Sequence, residues 1–148
     1  MTLPSTLTLD DLRQIVFNTR QRLRVWADGD TQNDLFSRFG YAFIQPEDSP
    51  YPPILDMHTI KGDVTIGGNG GDITLTPFKV SHGSIDALGF RIGGLAYLPD
   101  VAEIYDAAWK SLAGLDVWVV DALRRKPHPT HAHLDRTLEW IERARPKR

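Results

Sequence analysis

The sequence predicts an α/β chain in which amphipathic helices lie at both ends and strands fill the middle. Apolar residues recur at helical spacing in segments near both termini, and several central runs alternate with period two. Glycine-rich turns separate those central runs. A chain of 148 residues has the size of one domain. We therefore expect a single domain over residues 1–148.

The first predicted helix covers residues 9–22. Its apolar side chains are three and four positions apart, as they are on one face of an α-helix. They are Leu12, Ile15 and Val16, followed by Thr19. Thr8 or Asp10 is expected to cap the start, because both side chains can accept a hydrogen bond from a free backbone N–H of the first turn.

A strand at residues 23–27 and a second helix are expected next. Asp30 or Thr31 is predicted to cap this helix, and Gly40 to end it. The segment 45–53 contains four prolines, which remove backbone hydrogen-bond donors. It is therefore predicted to be an irregular connection.

Strands dominate the middle of the chain. Residues 54–60, 64–66 and 73–76 are predicted to be adjoining strands, with the glycine cluster 67–71 as a turn. Residues 90–98 contain two alternating runs around a Gly-Gly pair, which is typical of a hairpin.

The last third of the chain predicts one strand and one helix. Residues 115–120 are apolar on both sides of a pleat, which favours a central strand that is covered on both faces. Residues 133–145 carry an apolar stripe and predict the final helix. The stripe consists of Leu134, Leu138, Ile141 and Ala144.

Composition limits the classes of function. There is no cysteine, so a metal ion would need histidine and carboxylate ligands. Seventeen basic and nineteen acidic residues argue against a general nucleic-acid surface. No apolar run reaches the ~18 residues of a membrane span, and the N-terminus lacks a basic secretion signal. We therefore expect a cytoplasmic protein that binds neither nucleic acid nor membranes.

His82 and Asp100 are the candidate metal ligands. Each follows a strand-like run, and a predicted hairpin lies between them. Side chains at strand ends can converge in a cleft, where imidazole and carboxylate groups hold metal ions. Spacing alone is a weak signal, and an ordinary pair of turn residues is the alternative.

Four ordered motifs connect the chain with a known family. They are Phe78-Lys79-Val80-Ser81-His82-Gly83, then Leu88-Gly89-Phe90-Arg91-Ile92-Gly93, Tyr97-Leu98-Pro99-Asp100-Val101, and Asp121-Ala122-Leu123-Arg124-Arg125-Lys126-Pro127-His128-Pro129-Thr130-His131. Together they resemble metallo-β-lactamase-fold hydrolases of the phosphoribosyl cyclic phosphodiesterase type. The resemblance runs from about residue 10 to residue 145, and it implies a partial four-layer αββα sandwich.

The resemblance also implies roles for individual residues. His82 corresponds to a ligand of the first metal ion, and Asp100 to the carboxylate that bridges two divalent ions, zinc or manganese, in complete relatives. Asp121 and His131 correspond to catalytic positions beside a small phosphodiester substrate, with His131 as proton donor or phosphate contact. For His128 a turn residue is the preferred interpretation, and for His133 a helix-start residue.

The chain also departs from the family pattern. The His-x-His-x-Asp-His motif of complete members is absent from the sequence, as is a last histidine ligand after the final helix. His58 matches no family ligand, and we expect it to be an exposed strand histidine. The resemblance therefore predicts a domain truncated at both ends that binds metal weakly or not at all by itself.

Two alternatives to an active hydrolase remain open. In the first, the chain is a non-catalytic remnant or binding module of the same fold. In the second, its missing segments exist elsewhere. A sheet shortened in this way would leave edges and apolar surface uncovered, so a homodimer or limited stability is expected.

Overall fold

A computed structural model describes residues 9–148, which fall into two compact units. The first unit ends at Lys61, and the second runs from Gly62 to Arg148. Each unit combines helix and sheet, so the predicted α/β class is confirmed. The single domain stays a prediction, and the proposed cap Thr8 lies outside the described residues. Within residues 9–148, no helix combines the length and the apolarity that a bilayer crossing requires.

The first unit contains two helices and a pair of parallel strands. They are α1 (Leu12–Thr19), β1 (Leu23–Ala27), α2 (Gly29–Phe39) and β2 (Leu55–Thr59). In the register of β1 and β2, Leu23 lies opposite Leu55. A 3-10 turn at Leu9–Asp11 precedes α1, so the regular helix is shorter at both ends than the predicted 9–22.

Asp28 determines where α2 begins. Its backbone is extended, and its carboxylate accepts a hydrogen bond from the N–H of Thr31 at 2.9 Å. The prediction of Asp30 or Thr31 as the cap is wrong, because both residues already lie inside the helix. Gly40 follows the last residue of α2 as predicted, although a 3-10 turn continues from it.

A small apolar core holds the first unit together. Its buried members are Val16, Ala42, Phe43, Ile54 and Leu55. The segment 45–53 contains neither helix nor strand, as its prolines predict. The chain returns to the core after this segment, where the N–H of Ile54 donates to the carbonyl of Ala42 at 2.8 Å.

The second unit is built on a five-stranded sheet. Its strands, which follow one another in space in chain order, are β3 (Val64–Gly68), β4 (Gly71–His82), β5 (Ile85–Ile92), β6 (Leu95–Leu98) and β7 (Val117–Val120). All neighbours are antiparallel except β6 and β7, which are parallel. The predicted hairpin at residues 90–98 is confirmed by β5 and β6.

Two predictions about strand neighbours are wrong. Residues 54–60 do not adjoin 64–66, because β2 pairs with β1 and β3 belongs to the second unit. Strand β7 lies at the end of the strand order instead of the centre, and Val117 and Val119 are 37% and 46% exposed. An apolar run by itself does not reveal how many neighbours a strand has.

A larger core lies against one face of this sheet. Its buried members are Phe78, Val80, Ala96, Leu98, Val101, Ala108, Leu112, Leu115, Trp118, Ala132 and Trp140. Helix α3 (Leu134–Ala144) buries Thr137 and Trp140 against it. The predicted stripe is displaced, because Leu138 is 48% exposed while the larger Trp140 side chain takes the buried position.

We predict that Gly89→Ala destabilises the second unit. Gly89 lies opposite Phe78 in the register of β4 and β5, and an added Cβ would collide with the buried Phe78 ring and with Leu98. Overpacking of this kind costs about 1–3 kcal/mol. Urea unfolding should show a lower midpoint for this variant. Gly68→Ala is the matched control, because a Cβ there meets no atom within 4 Å. Equal midpoints for the two variants would contradict the packing described.

Candidate metal centre

His82 is the last residue of β4. The alternation of the strand places its side chain on the same face as Phe78 and Val80, which are 6% and 0% exposed. These two core residues fix the register of the strand end. The imidazole therefore emerges half-buried at the border of the core.

Gly83 allows the turn after His82 to approach a second loop. Its φ of +79° lies in the left-handed region, which favours glycine. An added Cβ would lie 2.7 Å from the Cγ2 of Thr130 and 3.2 Å from the carbonyl oxygen of Pro129. This close approach brings the β4–β5 turn against the loop that carries His131.

Asp100 follows β6 at the same border. Leu98 and Val101 on either side of it are both completely buried, so the backbone around Asp100 is anchored. The Asp100 side chain is itself exposed. An anchored backbone with an exposed carboxylate suits a metal ligand, because the charge stays solvated until an ion binds.

Backbone hydrogen bonds join the three segments of the site. The N–H of Ser81 donates to the carbonyl of Glu103 at 3.0 Å, and the N–H of Ala102 donates to the carbonyl of Ser81 at 2.7 Å. The N–H of Ala132 donates to the carbonyl of Val101 at 2.6 Å. Each bond lies one or two residues from a candidate side chain, so the main chain sets their separation.

Asp121 and His131 form a hydrogen-bonded pair. Asp121 follows β7, and its N–H donates to the carbonyl of Leu98 at 3.0 Å. Its carboxylate is 8% exposed and lies 2.7 Å from the Nδ1 of His131. The hydroxyl of the buried Thr137 donates to the Asp121 carbonyl at 2.6 Å. The carboxylate thus holds the imidazole by one nitrogen and leaves Nε2 available.

The structure brings together the residues that the sequence singled out. One donor atom each from His82, Asp100 and His131 lies within 4.8 Å of the other two. The predicted convergence of His82 with Asp100 is present, and His131 joins them. His58 lies in the first unit, exposed on β2 and stacked on Trp26, as expected for a strand histidine. The metal and catalytic roles of these residues stay predictions.

The donor set fits a divalent metal ion. Two imidazoles and one carboxylate match the three protein ligands of many catalytic zinc sites. Ligand atoms of a tetrahedral zinc ion lie roughly 3.4 Å apart, so small side-chain rotations would close the cluster. The Nδ1 of His82 is buried and has no hydrogen-bond partner among residues 9–148. A bound ion is one explanation for such an unpaired buried atom.

His128 lies beside this cluster. Its ring centroid is 5.3 Å from that of His131, and its Nδ1 lies 3.3 Å from the N–H of Thr130. Burial lowers the pKa of His128, and the nearby charge of Arg124 lowers it further. Both effects disfavour the protonated, positively charged form of a ring that lies next to the candidate metal ligands.

Sequence reasoning did not identify Thr137 or Tyr105 as part of the site. Thr137 is a polar residue inside an amphipathic helix. Its burial, which the structure shows and the sequence does not, is the feature that points to a role. The hydroxyl of Tyr105 donates to Asp86 at 2.7 Å, and Lys79 forms an ion pair with the same carboxylate at 3.0 Å. This contact ties the segment after Asp100 to the hairpin that carries His82.

The fold and the cluster define an α/β protein with a histidine–aspartate centre at the border of a sheet. Comparison with known proteins identifies the family. Residues 5–148 match the family described as Beta-lactamase superfamily domain, and the chain belongs to that family. The resemblance to metallo-β-lactamase-fold hydrolases and the partial sandwich class are thereby confirmed.

Three relatives show the extent of the likeness. The crystal structure of a diphosphatase from the PhnP family is 33% identical, has a TM-score of 0.78, and matches 94% of this chain and 51% of its own. YhfI from Bacillus subtilis, a metallo-β-lactamase fold protein, is 12% identical with a TM-score of 0.62, over 94% of this chain and 57% of its own, and supports the fold alone. A protein named Octanoyltransferase from Porphyromonas gingivalis (strain ATCC BAA-308 / W83) is 30% identical over 136 residues, which are 90% of this chain and 26% of that protein. The chain thus spans about half of the two solved structures and a quarter of the curated protein.

We predict that Tyr105→Phe raises the pKa of Asp86. The Tyr105 hydroxyl is the main cause of the lowered pKa of Asp86, and Lys79 adds to it. A carboxyl pKa that is lower in the folded than in the unfolded state stabilises the fold above the unfolded-state pKa. That contribution disappears as the pH falls through the lowered pKa. Carbon-13 NMR titration of the carboxyl group should therefore show an upward shift in the variant.

Tyr97→Phe is the control for this titration. Tyr97 is an exposed tyrosine on β6 of the same unit, and its removal should leave the Asp86 titration unchanged. Equal Asp86 pKa values in the Tyr105→Phe variant and the unmodified protein would show that the hydrogen bond does not form in solution.

Proposed function

We propose that this chain contributes to a metal-dependent hydrolase that acts on a small phosphodiester. The observation that carries the proposal is the convergence of His82 and Asp100 with the His131–Asp121 pair in a chain of the β-lactamase superfamily. The diphosphatase named among the relatives supports phosphorus–oxygen cleavage as the reaction type. Because the chain spans only part of that protein, the whole activity is a proposal.

His82 and Asp100 would hold a divalent ion, zinc or manganese. Such an ion, when bound, polarises a phosphoryl oxygen and lowers the pKa of water. Imidazole nitrogen and carboxylate oxygen are suitable donors for both metals. In complete relatives the carboxylate that corresponds to Asp100 bridges two ions. We propose a bound ion for this chain and leave the number of ions to the experiment.

His131 would contact the phosphate or donate a proton to the leaving oxygen. The carboxylate of Asp121 lies 2.7 Å from its Nδ1, and this contact orients the ring. A cavity of about 320 Å³ opens beside His131, with His133 and Arg136 among its lining residues. The cavity offers room for the part of a substrate that leaves, next to the group that would protonate it.

The remaining predictions about context belong to the same proposal. A homodimer, a cytoplasmic location and the absence of nucleic-acid partners are retained from the sequence. A non-catalytic binding module is the alternative, and it retains the fold and the cluster without turnover.

We predict metal-dependent hydrolysis of bis(p-nitrophenyl) phosphate by the full chain. Release of p-nitrophenolate should require added Zn²⁺ or Mn²⁺ and stop with a chelator. His82→Ala should remove the activity because it takes away a predicted ligand, and the loss should be at least ~100-fold. His58→Ala is the control, because this exposed histidine lies in the other unit. Absence of turnover in the metal-loaded unmodified chain would favour the binding module.

A further inference from the structure

We propose that Asn69 is a site of spontaneous deamidation in the folded protein. Asn69 lies at the tip of the β3–β4 hairpin, between the paired residues Gly68 and Gly71. The modification turns a neutral side-chain amide into a carboxylate, and one of its two products also lengthens the backbone. The inference is independent of the metal centre and of the proposed reaction, so either can fail without the other.

The reaction needs neither an enzyme nor a cofactor. The backbone nitrogen of Gly70 loses its proton and attacks the side-chain carbonyl carbon of Asn69, which closes a five-membered succinimide ring and releases ammonia. Water then adds to one of the two ring carbonyls and breaks the bond of that carbonyl to the ring nitrogen. Cleavage at the backbone carbonyl gives isoaspartate, and cleavage at the side-chain carbonyl gives aspartate. In total the chain gains water and loses ammonia.

The first support is the residue that follows Asn69. Gly70 carries no side chain, so no Cβ obstructs the approach of its nitrogen to the Asn69 side chain. An added Cβ at Gly68 or at Gly70 would meet no atom within 4 Å. The space around the attacking nitrogen is therefore open on both sides of Asn69.

The second support is the exposure of the turn. Asn69 and its two neighbours are exposed to solvent. Within residues 9–148, no hydrogen bond holds the Asn69 side chain or the N–H of Gly70. The turn can rotate the nitrogen toward the carbonyl carbon without breaking such a bond, and water has access to the ring that results.

The third support is the contrast with the other two asparagines of the chain. Asn18 lies in α1 and is followed by Thr19, and Asn33 lies in α2 and is followed by Asp34. Inside a helix, the N–H of the following residue is bound to a carbonyl four residues earlier, which holds the nitrogen away from the asparagine side chain. Asn69 is therefore the asparagine that we expect to react.

Isoaspartate at this position would weaken the end of the hairpin. The connection between Gly68 and Gly71 has two residues, and an additional backbone carbon disturbs the register that a short turn imposes. Strand β3 is held by β4 alone among the described strands. The new carboxylate also lies on the same hairpin tip as Asp72, whose carboxylate already reaches across to Gly67. We therefore expect the modified hairpin to open more often.

Incubation of the full chain in water enriched in oxygen-18 tests the inference. Hydrolysis of the ring takes one oxygen from the solvent, so deamidation in the folded protein adds about 3 Da, whereas deamidation during later digestion in ordinary water adds about 1 Da. Trypsin cleaves after Lys61 and Lys79 and releases residues 62–79, in which Asn69 is the only side-chain amide. This peptide should gain the label steadily. Labelling should be faster at mildly alkaline pH, because the attacking nitrogen must lose its proton.

Gly70→Ala is the matched variant. It adds one Cβ at an open position whose backbone lies outside the left-handed region, so thermal unfolding should stay near that of the unmodified protein. Labelling of residues 62–79 should fall several-fold, because the Cβ obstructs the attack. The peptides that contain Asn18 and Asn33 are internal controls and should stay unlabelled over the same period. Equal labelling in the variant and the unmodified protein would overturn the inference.

A synthetic peptide of residues 62–79 measures the rate without the fold. The folded chain should react at a rate within several-fold of the rate of this peptide, because the turn leaves Asn69 unprotected. Absence of label in the folded chain while the free peptide reacts would show that the hairpin protects Asn69, and it would overturn the inference.

Hydrogen exchange tests the effect on the hairpin. Anion exchange separates the modified chains, and the amides of residues 64–68 should exchange faster in the isoaspartate form than in the unmodified protein. Asn69→Asp is the control, because it carries the added charge without the additional backbone carbon and should change the exchange less. Equal exchange in the isoaspartate form and the unmodified protein would contradict the expected weakening of the hairpin.

Discussion

The geometry of the site depends on the short segment from Val101 to Glu103. Its backbone is hydrogen-bonded to Ser81 on one side and to Ala132 on the other. Because these bonds are between main-chain atoms, they fix the distances among three chain segments that are far apart in sequence. Val101 and Ala132 are also almost completely buried, which protects the bonds from competing water. Side chains at the ends of these segments can then meet without a bound ligand.

Both buried and surface residues hold the three segments in place. Leu98 and Val80 anchor the strand ends within the core, whereas Tyr105 and Asp86 act at the surface. Thr137 reaches the site from α3 by donating to the carbonyl of Asp121. The apolar core fixes the position of the backbone, and polar contacts orient the side chains. This division explains how a half-buried imidazole and an exposed carboxylate lie in one cluster.

Local sequence patterns predicted the helices and strands of this chain better than they predicted which strands pair with each other. The β5–β6 hairpin follows from alternation around Gly93 and Gly94, and α3 follows from its apolar spacing. The edge position of β7 could not be predicted, because pairing is a property of segments that are distant along the chain. The cap of α2 was missed because Asp28 and Asp30 both have suitable side chains, and only the backbone conformation separates them.

The candidate site shows the same limit. The motifs around His82 and Asp100 identified two donors through resemblance, and the structure brings them together. The resemblance placed His131 with the substrate, which stays a prediction, and only the structure shows how close its ring lies to the other two donors. Its distance from the other two donors depends on the contacts of Ala132 and Gly83, which no local pattern reveals.

The central proposal is that His82 and Asp100 hold a divalent ion beside His131. Anomalous X-ray scattering from crystals of the full chain grown with zinc, recorded on both sides of the zinc absorption edge, tests it most directly. The account predicts a strong peak within bonding distance of the His82 and Asp100 side chains. A peak away from both side chains, or a fully ordered site where they point apart and hold no zinc, would contradict it.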